Sequence, residues 1–289
     1  MMTGTVTVSL FFVESNGTVD PNLYTWTSAD EWSVYSQVVA NLTFWSDQAR
    51  LYGKSVTFQI LPRFHTDYVC QQGYEPILHS SGDDYLWISA IMNKLGYTRG
   101  DKFSQVSAYN TALRSTLGTD WAYSAFVGYN PPPAPLQFTD KRSAYAAGLG
   151  GPYTQLLLDN GGWGPSRFGL VFAHETGHIF WAVDEYSQSG CAATDIGPNG
   201  IANGNCINGN PASVTCMMLN ADFYLCSWTP GHIGWTKYVY LTKVTTIPAG
   251  LQMYAGTAAN PWFTAPQTFG WGLGTTTHLI AMSPQSSPC

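Results

Sequence analysis

The chain has 289 residues, 45% of them apolar and only 10% charged, which supports a large buried core and excludes a disordered protein. A net charge of −6, with 12 Lys plus Arg and no basic cluster, excludes nucleic-acid binding by phosphate neutralisation. No apolar run approaches the ~18 residues of a membrane span, so none is expected.

Residues 3–14 alternate largely between apolar and polar side chains and predict a strand, which Asn16 and Gly17 end. No Lys or Arg precedes Arg50, so the short run Ser9 to Val13 reads as strand rather than signal peptide. Any export signal is therefore expected to have been removed or to lie outside this sequence. Ser28 to Glu31 resembles a capping box and opens a helix to about Leu51, with Trp32, Tyr35, Val38, Val39, Leu42 and Trp45 along its apolar face. Lys54 to Pro62 predicts a second strand, 82–96 and 102–117 predict helices, and Asp120 to Tyr129 predicts a third strand. Pro131, Pro132, Pro133 and Pro135 mark a loop. Ser143 to Leu158 reads as an edge strand or hairpin, broken around Gly148 to Pro152. Ser166 is placed to cap the helix that follows. Residues 187–215 are rich in Gly, Asn, Cys and Pro and predict a long loop, after which short strands return near Tyr238–Val244, Leu251–Tyr254 and Thr276–Ala281.

Six cysteines, none in a CxxC pair, fit a disulfide-braced protein in an oxidising, extracellular setting. The expected pairs are Cys191 with Cys206, Cys216 with Cys226, and Cys70 with Cys289. Asp195, Asn199, Asn203, Asn205 and Asn208 gather oxygens in the long loop and could hold a structural Ca2+. No EF-hand spacing is present, and turn formation explains the same residues. His65, His79, His232 and His278 are scattered and pair at no ligand spacing.

The segment with the clearest chemistry is His174-Glu175-Thr176-Gly177-His178. Histidines four apart on a helix lie ~40° apart around its axis and one turn apart in height, so both imidazoles can meet one ion. The neighbouring Glu175 then projects beside the metal, where its carboxylate can act as general base toward water. Val171, Phe172 and Ala173 before the motif, and Ile179 and Phe180 after it, predict a helix buried in the domain. Polar side chains there are costly unless paired or ligated.

Asp184 stands ten residues after His174, and Ser213 to Leu219 contains Met217 and Met218. This arrangement resembles the metzincins, in which that offset carries the third zinc ligand and a methionine turn lies beneath the metal. The stretch from His174 to Tyr186 is similar to the active-site stretch of the IgA-peptidase family of metallopeptidases and related secreted bacterial zincins. Residues 73–77 and 229–235 share that likeness. The resemblance implies one zincin-like catalytic domain of mixed α/β character, with a twisted mixed sheet, backing helices and an active-site helix. An upper part at about 1–181 and a loop-rich lower part at about 182–289 are expected. It further implies an extracellular zinc endopeptidase acting on protein or peptide substrates as a monomer. The expected zinc ligands are His174, His178 and Asp184, with Glu175 as base and Met218 in the turn (Met217 being the alternative). Ala146, Ala147 and Gly148 are expected on a cleft-edge strand that pairs with substrate. Tyr186 and Tyr224 are candidate phenol donors to the oxyanion. Metzincins commonly carry Gly seven residues after the first His, where the chain turns in a left-handed conformation. Here Trp181 occupies that position, which leaves Glu185 as a rival ligand.

Overall fold

The structure, a computed structural model, describes residues 1–236 except 209, 211 and 212, and three short strands beyond them. In chain order the elements are β1 (Gly4–Phe12), β2 (Glu14–Ser15), α1 (Ser28–Leu51), β3 (Val56–Arg63), β4 (Gln71–Gln72), α2 (Tyr85–Lys94), α3 (Lys102–Leu117), β5 (Trp121–Gly128), β6 (Ala144–Ala146) and β7 (Tyr153–Leu157). They continue with α4 (Phe168–Ile179), α5 (Met217–Asn220), α6 (Thr229–His232), β8 (Val239–Leu241), β9 (Gln252–Ala255) and β10 (Leu279–Met282). A five-stranded sheet runs β3-β1-β5-β7-β6, parallel except for β6, which pairs antiparallel with β7 at one edge. β8, β10 and β9 form a separate antiparallel sheet close to the positions the sequence predicts.

Alternation along β1 builds two cores from one strand. Val6, Val8, Leu10 and Phe12 face α1 and α4, where they meet Val34, Val38, Leu42, Trp45, Phe168 and Phe172. Phe11 faces α2 and α3, packing with Trp87, Ile88, Ile91 and Val106. The polar side chains on this second face are paired, with the Ser9 hydroxyl 2.8 Å from Tyr109 Oη. The result is a mixed α/β domain with helices on both faces of a mostly parallel sheet.

Several local expectations shift. α1 is capped by Thr27, whose Oγ1 accepts the Asp30 N–H at 3.1 Å, rather than by Ser28. Its buried stripe is Val34, Val38, Leu42, Trp45 and Ala49, a continuous row of three- and four-residue steps. Trp32 and Val39 fall off that row and are half exposed, Trp32 covering Phe64 with ring centroids 5.0 Å apart. The helix expected from residue 82 begins as a 3-10 turn over Ser81–Asp84. Ser166 caps nothing, because it lies inside the 3-10 turn Pro165–Arg167 that leads into α4. Among the described residues of the loop-rich part beyond 181, Cys216, Met217, Met218, Leu225, Ile233 and Trp235 join the same core as α1 and α4. Among the described residues no helix is long and apolar enough to cross a membrane.

Trp45 joins these layers. It is fully buried, its Nε1–H donates to the Ala173 carbonyl at 2.9 Å, and its ring meets Trp235 edge-on at 6.1 Å. Trp45→Ala opens a cavity directly beneath α4 and should lower the unfolding free energy by about 4 kcal/mol. Urea denaturation of wild type and variant measures this, and a loss below about 1 kcal/mol would show that the layers do not depend on Trp45.

Candidate metal centre

Every residue of α4 is buried, which follows from its position between the sheet, α1 and the 216–235 segment. On one face the His174 and His178 rings lie nearly perpendicular, with centroids 4.9 Å apart. The His174 Nδ1 lies 2.8 Å from the Met217 carbonyl oxygen, and the His178 Nδ1 lies 2.7 Å from the Ala182 carbonyl oxygen. A carbonyl only accepts, so both Nδ1 atoms carry the hydrogen and both Nε2 atoms point their remaining position elsewhere. They converge on Asp184 Oδ1, at 3.0 Å from His174 and 3.1 Å from His178.

Trp181 explains how Asp184 arrives there. Its φ is 71°, so a tryptophan adopts the left-handed conformation in which glycine was expected. The Ala182 N–H donates to the Gly177 carbonyl at 2.9 Å and the Trp181 N–H to the His178 carbonyl at 3.0 Å. These two bonds form a Schellman ending with Trp181 at its left-handed position. The register beyond the helix is thereby kept, and Asp184 rather than Glu185 meets the imidazoles. Glu185 is fully buried and turned away. Its Oε1 accepts from Cys226 Sγ and Thr229 Oγ1, both at 3.0 Å, and its Oε2 accepts from Asn205 Nδ2 at 2.7 Å. Burial pushes its carboxyl up in pKa, while these donors pull it down.

The two methionines divide their work. Met217 supplies the carbonyl that orients His174, whereas the buried Met218 lies beneath the helix. A Cβ added to Gly177 would stand 2.7 Å from Met218 Sδ, so glycine is needed for that approach.

Glu175 lines a cavity of about 230 Å3 together with Ala146, Gly148, Leu149, His178, Asp184 and Tyr186. Its Oε2 is buried without a hydrogen-bond partner among the described residues. Burial raises its pKa, opposed by the two histidines and by the backbone N–H of Ala146. β6 is the sheet edge and, among the described residues, pairs only with β7. Ala147 and Gly148 lie in the turn after it rather than in the strand, Ala147 N–H donating to the Tyr153 carbonyl at 2.9 Å and Gly148 N–H to the Ala146 carbonyl at 2.8 Å. Burial raises the pKa of the Tyr186 phenol, and the nearby Asp184 charge raises it further. Tyr224 is 53% exposed and does not line this cavity.

The donor set fits a zinc ion. Two ligand atoms, each ~2.0–2.1 Å from a tetrahedral ion, stand ~3.3 Å apart, close to the separations found here. Two imidazoles and one carboxylate are a nitrogen and oxygen set that zinc accepts, with a position left open. Without a cation these contacts are held by protons. Burial works against a charge on His178, but the hydrogen bond and charge of Asp184 prevail and push its pKa up to about 9. Burial likewise opposes ionisation of Asp184, yet hydrogen bonds from His174 and His178 hold it well below the ordinary carboxylate range.

Cys191 and Cys206 form the expected disulfide, with Cα atoms 5.9 Å apart. The expected Cys216–Cys226 bond is instead two buried free thiols: the Cys226 thiol donates to Glu185, and Cys216 Sγ lies 3.2 Å from Thr229 Oγ1. Both thiols thus serve the buried polar cluster around Glu185. Cys70 is a buried free thiol that donates to the Arg63 carbonyl at 3.1 Å, and Cys289 lies outside the described residues. The carboxamides of the 195–208 loop diverge. Asn199 Nδ2 donates to the His232 carbonyl, Asn203 Nδ2 to the Asp184 carbonyl, and Asn208 Nδ2 to the Cys191 carbonyl. His65 pairs with Glu31, His79 with Asp20, and His232 with the Ala202 carbonyl, while His278 lies outside the described residues. The backbone acceptors of Met217 and Ala182 were not found by sequence reasoning, because carbonyls carry no residue-type signal. No protein-family model matches this chain, and no curated protein is significantly similar to it.

Asp184→Ala should weaken zinc binding by more than about 100-fold, since even outer supports of a metal cost 10–100-fold. Glu185→Gln should leave it within about threefold, a ratio on the order of 0.6 kcal/mol. Competition with a chromophoric chelator measures both, and equal affinity in wild type and Asp184→Ala would exclude Asp184 as a ligand. In the metal-free protein the raised His178 pKa contributes stability that is complete below its ordinary 6.5 and disappears as pH rises through about 9. Chelator-treated protein should therefore melt at progressively lower temperature from pH 6.5 to pH ~9.5, and His178→Gln should flatten that decline. A pH-independent melting temperature in the metal-free wild type would contradict the ion pair.

Proposed function

We propose that this protein is a zinc-dependent endopeptidase, a reading carried by the convergence of His174 Nε2, His178 Nε2 and Asp184 Oδ1 beside the buried, unpartnered Oε2 of Glu175. These three atoms would hold a zinc ion, which when bound would supply Lewis-acid chemistry toward a carbonyl and a water of lowered pKa, ~7. Glu175 takes the proton as water attacks and returns it to the leaving amine. Its burial supports that role, because a carboxyl raised toward neutrality is a better-matched general base. The edge of β6, which no other described strand pairs, supports an extended peptide, which would pair with it by strand addition. Tyr186, at the cavity wall and near Asp184, can donate its phenol to the developing oxyanion. The Cys191–Cys206 disulfide supports an oxidising, extracellular location. The resemblance of the 174–186 segment to the IgA-peptidase family agrees with all of this.

Glu175→Gln keeps the size and burial of the side chain but removes the base. Peptide hydrolysis should fall by about 10²–10⁴-fold while zinc content stays at one per chain. Turnover of a quenched fluorescent peptide library, measured beside elemental analysis, tests this. Near-normal turnover by the variant, or zinc-independent turnover by wild type, would refute the proposal.

A further inference from the structure

A second cavity, of about 190 Å3, lies on the other side of the turn 148–151 from the Glu175 cavity. Gly148 and Leu149 line the first cavity, while Gly150 and Gly151 line the second. The wall they share is tied to α4, since the Gly150 N–H donates to the His178 carbonyl at 2.9 Å. The second cavity has aromatic walls from Trp121, Trp181 and Phe103, and among the described residues Arg114 is the only charged side chain that lines it.

Two features mark it as more than a surface dent. The first is Trp181 itself. The helix ending needs only a left-handed residue, which glycine provides readily, whereas an L side chain is strained there. Backbone strain retained in this way points toward function. The surroundings accommodate the ring: a Cβ at Gly150 would stand 2.2 Å from Trp181 Nε1. The indole lies edge-on to Trp121 at 6.1 Å and thus forms a wall of the cavity. The second feature is Arg114. In a chain of net charge −6 its guanidinium ion-pairs, among the described residues, with no carboxylate within 4.0 Å, and it stands 6.0 Å from the Trp121 ring centre. Its acidic neighbour Asp120 feels the Arg114 charge but directs Oδ2 to the N–H and hydroxyl of Thr5. The hydroxyls of Ser107 and Thr111 donate to helix carbonyls at 2.8 Å. The cavity therefore offers, at its exposed rim, a guanidinium beside the Trp121 ring, a fork that matches a carboxylate on a short apolar stem.

We propose that this cavity is a substrate subsite that takes the acidic side chain of an Asp or Glu outside the scissile pair. The proposal rests on the endopeptidase reading for its substrate, and its test is chosen to be separable from it. The zinc-loaded Glu175→Gln chain is titrated with a peptide series in which one Glu is moved through successive positions. Each peptide has a Gln twin, and binding is followed by tryptophan fluorescence and calorimetry. At one register the Glu peptide should bind about tenfold tighter than its twin, as a charge-assisted hydrogen bond implies. Arg114→Gln should erase that difference and Arg114→Lys should keep part of it. Trp181→Gly, which leaves the left-handed turn unstrained, should reduce it. Free glucuronate, an acid of another source, should bind at least about tenfold more weakly than the preferred Glu peptide. A Glu preference that survives Arg114→Gln, or the absence of one at every position, overturns the subsite, as does Arg114-dependent binding of glucuronate alone. Arg114-dependent Glu binding in a protein that hydrolyses no peptide would keep the subsite and reject the peptidase reading.

Discussion

Two hydrogen bonds, from His174 Nδ1–H to the Met217 carbonyl and from His178 Nδ1–H to the Ala182 carbonyl, are the constraint on which the centre depends. They fix both imidazole tautomers and both ring planes, leaving two Nε2 atoms and Asp184 Oδ1 gathered at one point. Three acceptors so close repel one another unless protons or a cation stand between them. The surrounding structure serves to hold those two carbonyls still. Met217 belongs to the segment packed beneath α4, and Ala182 is the residue at which the chain leaves the helix. The turn that delivers Asp184 is the same turn that orients His178.

Holding this arrangement has a cost, which neighbouring features offset. Trp181 in a left-handed conformation and a buried ionisable Glu185 are each unfavourable alone. Glu185 is satisfied by Asn205, Cys226 and Thr229, three residues from segments distant in sequence, so it gathers the loop-rich part around one point. The Cys191–Cys206 disulfide closes a loop with a sequence separation of 15 residues, a restriction worth about 3 kcal/mol in chain entropy. Together these cross-links let a stretch with little regular structure present a fixed carboxylate to the two histidines of α4.

Much of this was legible in the sequence because it depends on spacing. The four-residue step from His174 to His178, the alternation in β1 and the apolar run of α4 each follow from helix or strand geometry alone. Asp184 was legible through its offset, but its competition with Glu185 was not, because the outcome turned on whether Trp181 could adopt a positive φ. Nothing in a residue's identity announces that its neighbours will accommodate strain. The cap and the apolar face of α1 were misread for a related reason: a run with apolar residues on several sides does not reveal which row meets the core. The Cys216–Cys226 pair shows a third limit, since proximity in space and in sequence is shared by a disulfide and by two thiols hydrogen-bonded to a buried carboxylate.

Two clusters among the described residues could hold a metal ion, His174 with His178 and Asp184, and Glu185 with Cys216 and Cys226. They differ in donor chemistry, one being nitrogen and oxygen and the other rich in sulfur. X-ray absorption at the zinc edge of the protein loaded with one equivalent of zinc therefore tests the central claim directly. The account predicts a first shell of nitrogen and oxygen at ~2.0–2.1 Å, with the outer scattering of two imidazoles and no sulfur. A sulfur shell at ~2.3 Å would place the ion at the cysteines and contradict the account.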